Sequence, residues 1–323
     1  MKLSVCIPTY NRLGFLLILL EQLRKVQFSS FEIIIGDDST NNETEEYFKI
    51  NHFPGVKYFR NYRNLGEFKN CNACLARAQG EWVQVINDDD QVDPAYLSAI
   101  VPLLENKDAV LITGKTLFEG DGAEEIKKLH QEKLERMGLS SAGVFDGARL
   151  ISNILLNGNP FVFSHTLFRR ETAISHSGFD NNLGYAGDIN LWLRILRSGN
   201  CILSDTVMGK YIVHHSNSLV GKGKWNLFAE LWHEKLYYAG YVKNNCAANQ
   251  YPAYVNELRK QFPAAIFIAG KILKRKELCT SIKELVRQNH LSPYPNARGI
   301  LFSVLNLLPQ PLAAGTYHLL KKN

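Results

Sequence analysis

Gly80-Glu81-Trp82-Val83-Gln84-Val85-Ile86-Asn87-Asp88-Asp89-Asp90 is the stretch on which the fold turns. Trp82–Ile86 is a short, largely apolar run of strand-forming residues, and three adjacent aspartates follow it. Like charges that close repel, and the cost is offset where something cationic meets them. An acidic loop is the plain reading. The other is a buried strand whose end carries a site.

The flanking sequence favours the second. Upstream, Leu3–Ile7, Phe31–Ile35 and Val56–Phe59 read as strands, alternating with helical patterns over Leu13–Lys25, Glu43–Ile50 and Glu67–Ala78. Downstream, Pro94–Glu105 reads as a helix with proline in its first turn, and Ala109–Thr113 as a fifth strand. Strand–helix alternation predicts an α/β fold with a mostly parallel sheet flanked by helices. Ligands of such sheets bind beyond the carboxyl ends of the strands. There the chain places Pro8-Thr9-Tyr10-Asn11-Arg12, Asp37-Asp38-Ser39 and the aspartate triplet. Asp37 and Ser39 read equally as helix caps.

The middle of the chain is less regular. Helices are expected over Glu119–Met137, Asp146–Leu156 and Asp188–Arg197, the last closed by Gly199. Strands are expected over Phe161–Phe168, Cys201–Leu203 and Tyr211–Val213. From Lys224 onward the pattern is helical and punctuated by prolines. No internal repeat is visible.

A chain of 323 residues with 46% hydrophobic and 21% charged residues is an ordinary globular one. Its mean hydropathy is −0.16, and disorder and low complexity are excluded. Its apolar runs are too short or too interrupted to span a bilayer, and no signal peptide is expected. Six cysteines in such a chain read as reduced thiols of a cytoplasmic protein. Of these, Cys71 and Cys74 have metal-type spacing but no second pair, and read as buried thiols. The net charge of +6 is uneven. Residues 251–323 carry eleven Lys/Arg against three acids, and the rest is close to neutral. That balance argues against a nucleic-acid partner and for peripheral contact with an anionic membrane at its cytosolic face. Apolar residues around Ile266–Leu273 and Ile300–Leu308 fit interfacial helices, or helices packed in a core with a solvated basic face.

Adjacent carboxylates at a strand end suit a hard divalent ion, Mn²⁺ or Mg²⁺, with a substrate diphosphate supplying further oxygens. His214-His215-Ser216-Asn217-Ser218 follows the last short strand, and a histidine there reads as a metal or diphosphate partner or as a hydrogen-bonded loop residue. Gly221-Lys222-Gly223-Lys224 lacks the upstream glycine and final Ser/Thr of a P-loop. It could be a basic loop closing over a diphosphate.

Together these segments resemble the family 2 glycosyltransferases, which adopt the GT-A fold. The resemblance runs through Val5–Arg12, Ile33–Ser39, Asn64–Asn70 and Gly80–Asp90 with Pro94. It resumes at Gly187-Asp188-Ile189-Asn190-Leu191-Trp192-Leu193-Arg194, which is similar to the family's catalytic-base helix. Two positions depart from the pattern. Asn87 takes the first place of the acidic motif, and Gly187 stands where an acid often precedes the base.

The resemblance implies a nucleotide site made of Pro8, Thr9, Tyr10, Arg12, Asp38, Lys69, Asn70 and Asp88, with Asp38 accepting a hydrogen bond from a nucleobase imide. It implies metal ligands Asp89 and Asp90 with His215, paired with Ser218, and Asp188 as the base of an inverting transfer. Tyr10 and Lys69 also read as a loop aromatic and a solvated lysine, and Asp188 as a plain helix cap. The expected division is a GT-A domain over 1–220 and a helical basic appendage over 221–323. The expected reaction is metal-dependent transfer from a UDP-linked or other nucleotide sugar to a saccharide or lipid-linked saccharide in cell-surface polysaccharide synthesis. A nucleotidyltransferase would carry a glycine-rich basic loop after its first strand, where this chain has Pro-Thr-Tyr-Asn-Arg. A non-catalytic nucleotide-sugar or membrane-surface module would not need Asp188 beside the triplet.

Overall fold

The computed structural model describes residues 1–26, 29–183, 186–214, 224–247 and 250–289. The chain divides into two compact units, Met1–His214 and His215–Asn323. In the first, β1 (Leu3–Thr9) takes a central place. It pairs in parallel with β2 (Phe31–Asp37) on one side and β4 (Trp82–Val85) on the other, and β2 pairs in parallel with β3 (Val56–Arg60).

Beyond β4 the sheet turns antiparallel through β8 (Thr166–Arg169), then continues through β6 (Ala109–Gly120), β9 (Asn200–Val213) and β5 (Gln91–Val92). A short β7 (Gly143–Phe145) also pairs with β9. The observed fold is mixed α/β with a large, mostly parallel sheet flanked by helices, as the alternating pattern predicts.

Strand alternation splits β1 between two cores. Leu3, Val5 and Ile7 join Leu16, Leu19 and Leu20 of α1 (Leu13–Leu23) in one fully buried cluster. On the other face, Cys6 meets Cys74 of α3 (Glu67–Arg77), beside a buried Cys71. All three thiols are free, as the unmatched Cys-x-x-Cys spacing implies.

Ser4 on the same face donates to the buried carboxylate of Glu32 at 2.6 Å, which also accepts from the Gln79 amide and pairs with Lys57. The chain then passes so close to β1 that only glycine fits at position 80. A Cβ there would lie 2.5 Å from the Ser4 nitrogen and 2.6 Å from the Leu3 carbonyl carbon.

Several elements differ from the sequence expectation. The fifth strand does not stop at Thr113. β6 continues to Gly120 with alternating exposure, because its second half pairs with β9, and α5 (Ala123–Met137) therefore starts later than Glu119. The two strands expected over Cys201–Leu203 and Tyr211–Val213 are one strand, β9. Within Phe161–Phe168, a 3₁₀ turn at Phe163–His165 precedes β8.

The helix expected over Pro94–Glu105 is α4 (Tyr96–Ile100) followed by a 3₁₀ segment, since Pro102 can donate no helical hydrogen bond. The remaining helices of this unit are α2 (Glu43–Ile50), α6 (Gly147–Asn157), α7 (Arg170–Ser175) and α8 (Gly187–Ile195). Asp146 caps α6 by accepting the Arg149 amide.

The second unit contains α9 (Lys224–Tyr237), α10 (Ala239–Asn245), α11 (Gln250–Phe267) and α12 (Lys276–Gln288), with a π-helical turn at Ile268–Ile272. Phe267, Ile268 and Ala269 are buried, and the π-turn packs against α9, α11 and α12. The apolar run around Ile266–Leu273 therefore supplies core instead of an exposed interfacial face. Ile300–Leu308 lies outside the described residues. Among the described residues, no helix is long and apolar enough to cross a membrane.

The contact at Gly80 gives a direct test. Gly80→Ala should lower stability by about 1–3 kcal/mol, because the new methyl presses on backbone that cannot rotate away. Gly14→Ala in α1, with nothing within 4 Å of the added carbon, should raise it by about 0.5–1 kcal/mol. Urea-unfolding midpoints of the two variants read both effects.

Candidate active site

Parallel β1, β2 and β4 release their chains at one sheet edge, and the acidic residues collect there. Thr9 ends β1, and its hydroxyl donates to Asp88 Oδ2 at 2.6 Å. Arg12, at the N-cap of α1, reaches both neighbours in the triplet. Its Nη1 lies 2.6 Å from Asp89 Oδ2 and 3.3 Å from Asp88 Oδ1. His214, just past the end of β9, places Nε2 3.0 Å from the same Asp89 oxygen, with Phe15 of α1 stacked on its ring.

Asp90 turns the other way. It accepts the Ser164 hydroxyl at 2.5 Å and the Ile212 amide at 3.2 Å. The three carboxylates are nearly inaccessible to solvent. Burial raises Asp88 to about 6 against the pull of Thr9 and Arg12, and raises Asp90 to about 7 against the Ser164 hydrogen bond.

Asp188 lies in the first turn of α8, as its second residue; Ala186 holds the N-cap position that the sequence assigned to Asp188. Burial lifts its carboxyl to about 6, although the backbone N–H groups of Ile189 and Asp188 favour the charged form. Gly187 has a packing reason to lack a side chain. A Cβ there would lie 2.5 Å from the Phe68 ring, so α8 is seated directly on α3. Phe68 stacks on Phe179, and Phe163 and Phe168 link that pair to Trp192 of α8.

The residue before Phe68 is Glu67, which the sequence reading quoted without a role. One side of Glu67 stays open to solvent. Its carboxyl is nevertheless pushed up to about 7, first by the protein around the rest of it and then by the charges of Asp188 and Asp89, with Arg12 opposing. Glu67 thus reports Asp188 and the acidic pair around one place.

The other expected residues fall elsewhere. Asp38 accepts from the Leu65 and Gly66 amides at 2.8 Å each and from Asn61 at 3.0 Å, so its oxygens already pin the turn into α3. Gly66 sits in that turn at φ +87°, which few other residues adopt. Asn70 faces inward. Its amide donates to the Gly36 carbonyl at 2.7 Å and accepts from Asn61, which places it in the α3–β2 contact. Lys69 is exposed on α3, Tyr10 is 45% exposed past the end of β1, and Pro8 lies within β1. His215, Ser218 and Gly221-Lys222-Gly223 lie outside the described residues. Ser164, His214 and Glu67 carried no sequence signal, since their partners are 50 or more residues away or on a facing helix.

The donor chemistry can be set against a divalent ion. Carboxylates of Asp88 and Asp89 and the His214 imidazole are ligand types for Mn²⁺ or Mg²⁺, and Arg12 already brings positive charge there. Among the described residues, no group of three or more His, Cys, Asp or Glu side chains forms a ready cage. The set therefore fits an ion whose coordination is completed by substrate oxygens, as Mg²⁺ commonly is.

A GT-A architecture with an acidic strand end defines the class. Superposition on Staphylococcus aureus TarS 1–349 in complex with UDP-GlcNAc gives a TM-score of 0.59 at 17% identity over 92% of this chain and 93% of that one. The mannosyltransferase PcManGT from Pyrobaculum calidifontis, solved with GDP-Man and Mn²⁺, gives 0.55 at 14% identity over 100% and 88%. Residues 4–175 match the Glycosyl transferase family 2 profile, and the chain belongs to that family. The amylovoran biosynthesis glycosyltransferase AmsE of Erwinia amylovora is 29% identical over 51% of this chain and 56% of its own. The GalNAc(5)-diNAcBac-PP-undecaprenol beta-1,3-glucosyltransferase of Campylobacter jejuni is 31% identical over 38% and 40%. The chain thus spans about half the length of these curated relatives.

The raised carboxyls have a consequence for stability. Above pH 7 the folded protein holds Glu67 charged beside other acids, whereas the unfolded chain solvates it. Glu67→Gln should therefore raise the apo-protein Tm at pH 8. The advantage should fade as the pH falls through 7 toward 5, where the wild-type carboxyl is protonated. Thermal unfolding of both proteins at matched pH checks this; an advantage that grows on acidification would refute the assignment.

Proposed function

We propose that the chain is a metal-dependent inverting glycosyltransferase. It moves a sugar from a nucleotide-sugar donor, UDP-linked by preference, to a saccharide or lipid-linked saccharide in cell-surface polysaccharide synthesis. The observation that carries the reading is the double environment of Glu67, which feels Asp188 on one side and the Asp88–Asp89 pair on the other. A desolvated carboxyl and a cation-bearing acidic pair flank one space, as transfer from a diphosphate requires. The family membership supports the reaction class, the TarS complex supports a UDP-sugar donor, and the names of the bacterial relatives support the acceptor class.

Asp188 is the base. A carboxyl held near pH 6 is ionised at neutral pH yet basic enough to take a hydroxyl proton. As the acceptor oxygen bonds to the anomeric carbon from the face opposite the diphosphate, its proton passes to Asp188. The anomeric carbon–oxygen bond breaks, and the electron pair leaves with the diphosphate. Arg12 meets the charge that develops there. Mn²⁺ or Mg²⁺, held by Asp89 with His214 and aided by Asp88, would supply further neutralisation of that diphosphate.

Asp90, through Ser164 and Ile212, holds the triplet in place. Thr9 orients Asp88, while Pro8, Tyr10 and the turn pinned by Asp38 border the nucleobase. In the second unit, Lys260, Lys274, Lys276, Lys283 and Arg287 are exposed, which supports peripheral contact with an anionic membrane.

Asp188→Asn should lower turnover by roughly two to four orders of magnitude and leave UDP affinity unchanged by calorimetry. The wild-type kcat/KM should climb with pH through about 6 and level off above 7, because only the ionised carboxyl accepts a proton. Near-normal turnover by the Asn variant sinks the base assignment. Separately, Asp89→Ala should abolish the Mn²⁺-dependent part of UDP binding. If calorimetry gives one UDP affinity with and without Mn²⁺ in the wild type, the metal role is wrong.

A further inference from the structure

On the far half of β6 lies a second cavity, of about 540 Å³, enclosed by α5, the 139–142 turn and the first half of β9. Its size is in the ~300–1,000 Å³ range of small-molecule sites. Leu139, Leu150, Pro160, Phe161 and Cys201 form a buried, apolar floor. The hydroxyls in its wall are committed to the protein. Thr113 donates to the His165 carbonyl at 3.1 Å, Thr116 bonds His165 Nδ1 at 2.8 Å, and Ser204 donates to Thr206 at 2.9 Å.

At the mouth, Lys115 pairs with Asp205 at 2.7 Å. His130, 5.2 Å from the Phe118 ring, is pushed down to about 4 by burial and faces the cavity as a neutral ring. Exposed polar residues, among them Gln131, Glu135, Ser140 and Ser141, stand only around the opening. A sugar buried here would lose water without gaining hydrogen bonds. An aliphatic chain asks only for apolar contact and leaves its polar end at the mouth.

The cavity also adjoins the catalytic machinery. Its wall at Pro160–Val162 runs on into Ser164, which holds Asp90, and into His165, whose Nε2 lies 3.2 Å from the Gln91 carbonyl oxygen just past the triplet. We propose that this cavity is the binding site for the aliphatic chain of an amphiphilic acceptor, an assignment that rests on the glycosyl-transfer reading of the acidic site.

Calorimetry with octyl phosphate and decyl phosphate, both below micelle-forming concentration, tests it, with inorganic phosphate as the headgroup control. Each buried methylene is worth about fourfold in affinity, so the decyl compound should bind about fifteenfold tighter than the octyl one. Inorganic phosphate should give no heat. Ala142→Trp, at the exposed mouth, should weaken decyl phosphate about tenfold, close to the loss of two buried methylenes, and leave UDP affinity unchanged. Equal octyl and decyl affinities, phosphate binding as tight as decyl phosphate, or an unaffected Ala142→Trp protein each overturn the proposal. A wild type that transfers sugar yet ignores decyl phosphate overturns the cavity assignment alone. One that binds the chain but neither binds nor turns over a UDP-sugar overturns the acceptor role together with the reading of the acidic site.

Discussion

Arg12 between Asp88 and Asp89 is the contact around which the first unit is arranged. Three consecutive carboxylates shielded from water cannot coexist without donors, and each has its own pair. Thr9 and Arg12 serve Asp88, Arg12 and His214 serve Asp89, and Ser164 and Ile212 serve Asp90. Those donors come from β1, α1, the turn before β8, and β9. The electrostatic demand of one short segment therefore fixes how elements far apart in sequence meet.

The same demand separates two roles among similar groups. Asp38 and Asp90 spend both oxygens on backbone amides and neutral side chains and behave as structural pins. Asp88 and Asp89 are held by groups that carry or can take up positive charge, which a competing cation can displace. Asp188 has neither kind of partner among its stated neighbours. Burial alone dominates its affinity for a proton, and that makes it a base.

The parallel half of the sheet was legible because each of its strands is a compact apolar run followed by polar residues, and neighbours in sequence are neighbours in space. The aspartates, Arg12 and Asp188 could be picked out for the same reason. β6 beyond Thr113 and the middle of β9 could not, since their alternation of Lys115, Leu117 and Tyr211 with half-buried neighbours makes sense only once the two strands lie side by side. Glu67 was hidden because its meaning comes from α8, more than a hundred residues away. The choice of His215 over His214 turned on local spacing, whereas strand direction is what brings His214 to Asp89.

β9 itself carries a wider implication. Its first residues wall the apolar cavity, and its end supplies the Ile212 amide and His214 to the aspartates. One uninterrupted strand thus acts as a ruler between two ligand-bearing regions. A change of side chain along it is local, but gain or loss of a single residue moves every later position to the opposite face. Divergent members built on this plan should therefore vary freely in composition across this strand while keeping its length constant, with insertions displaced into the turns at either end.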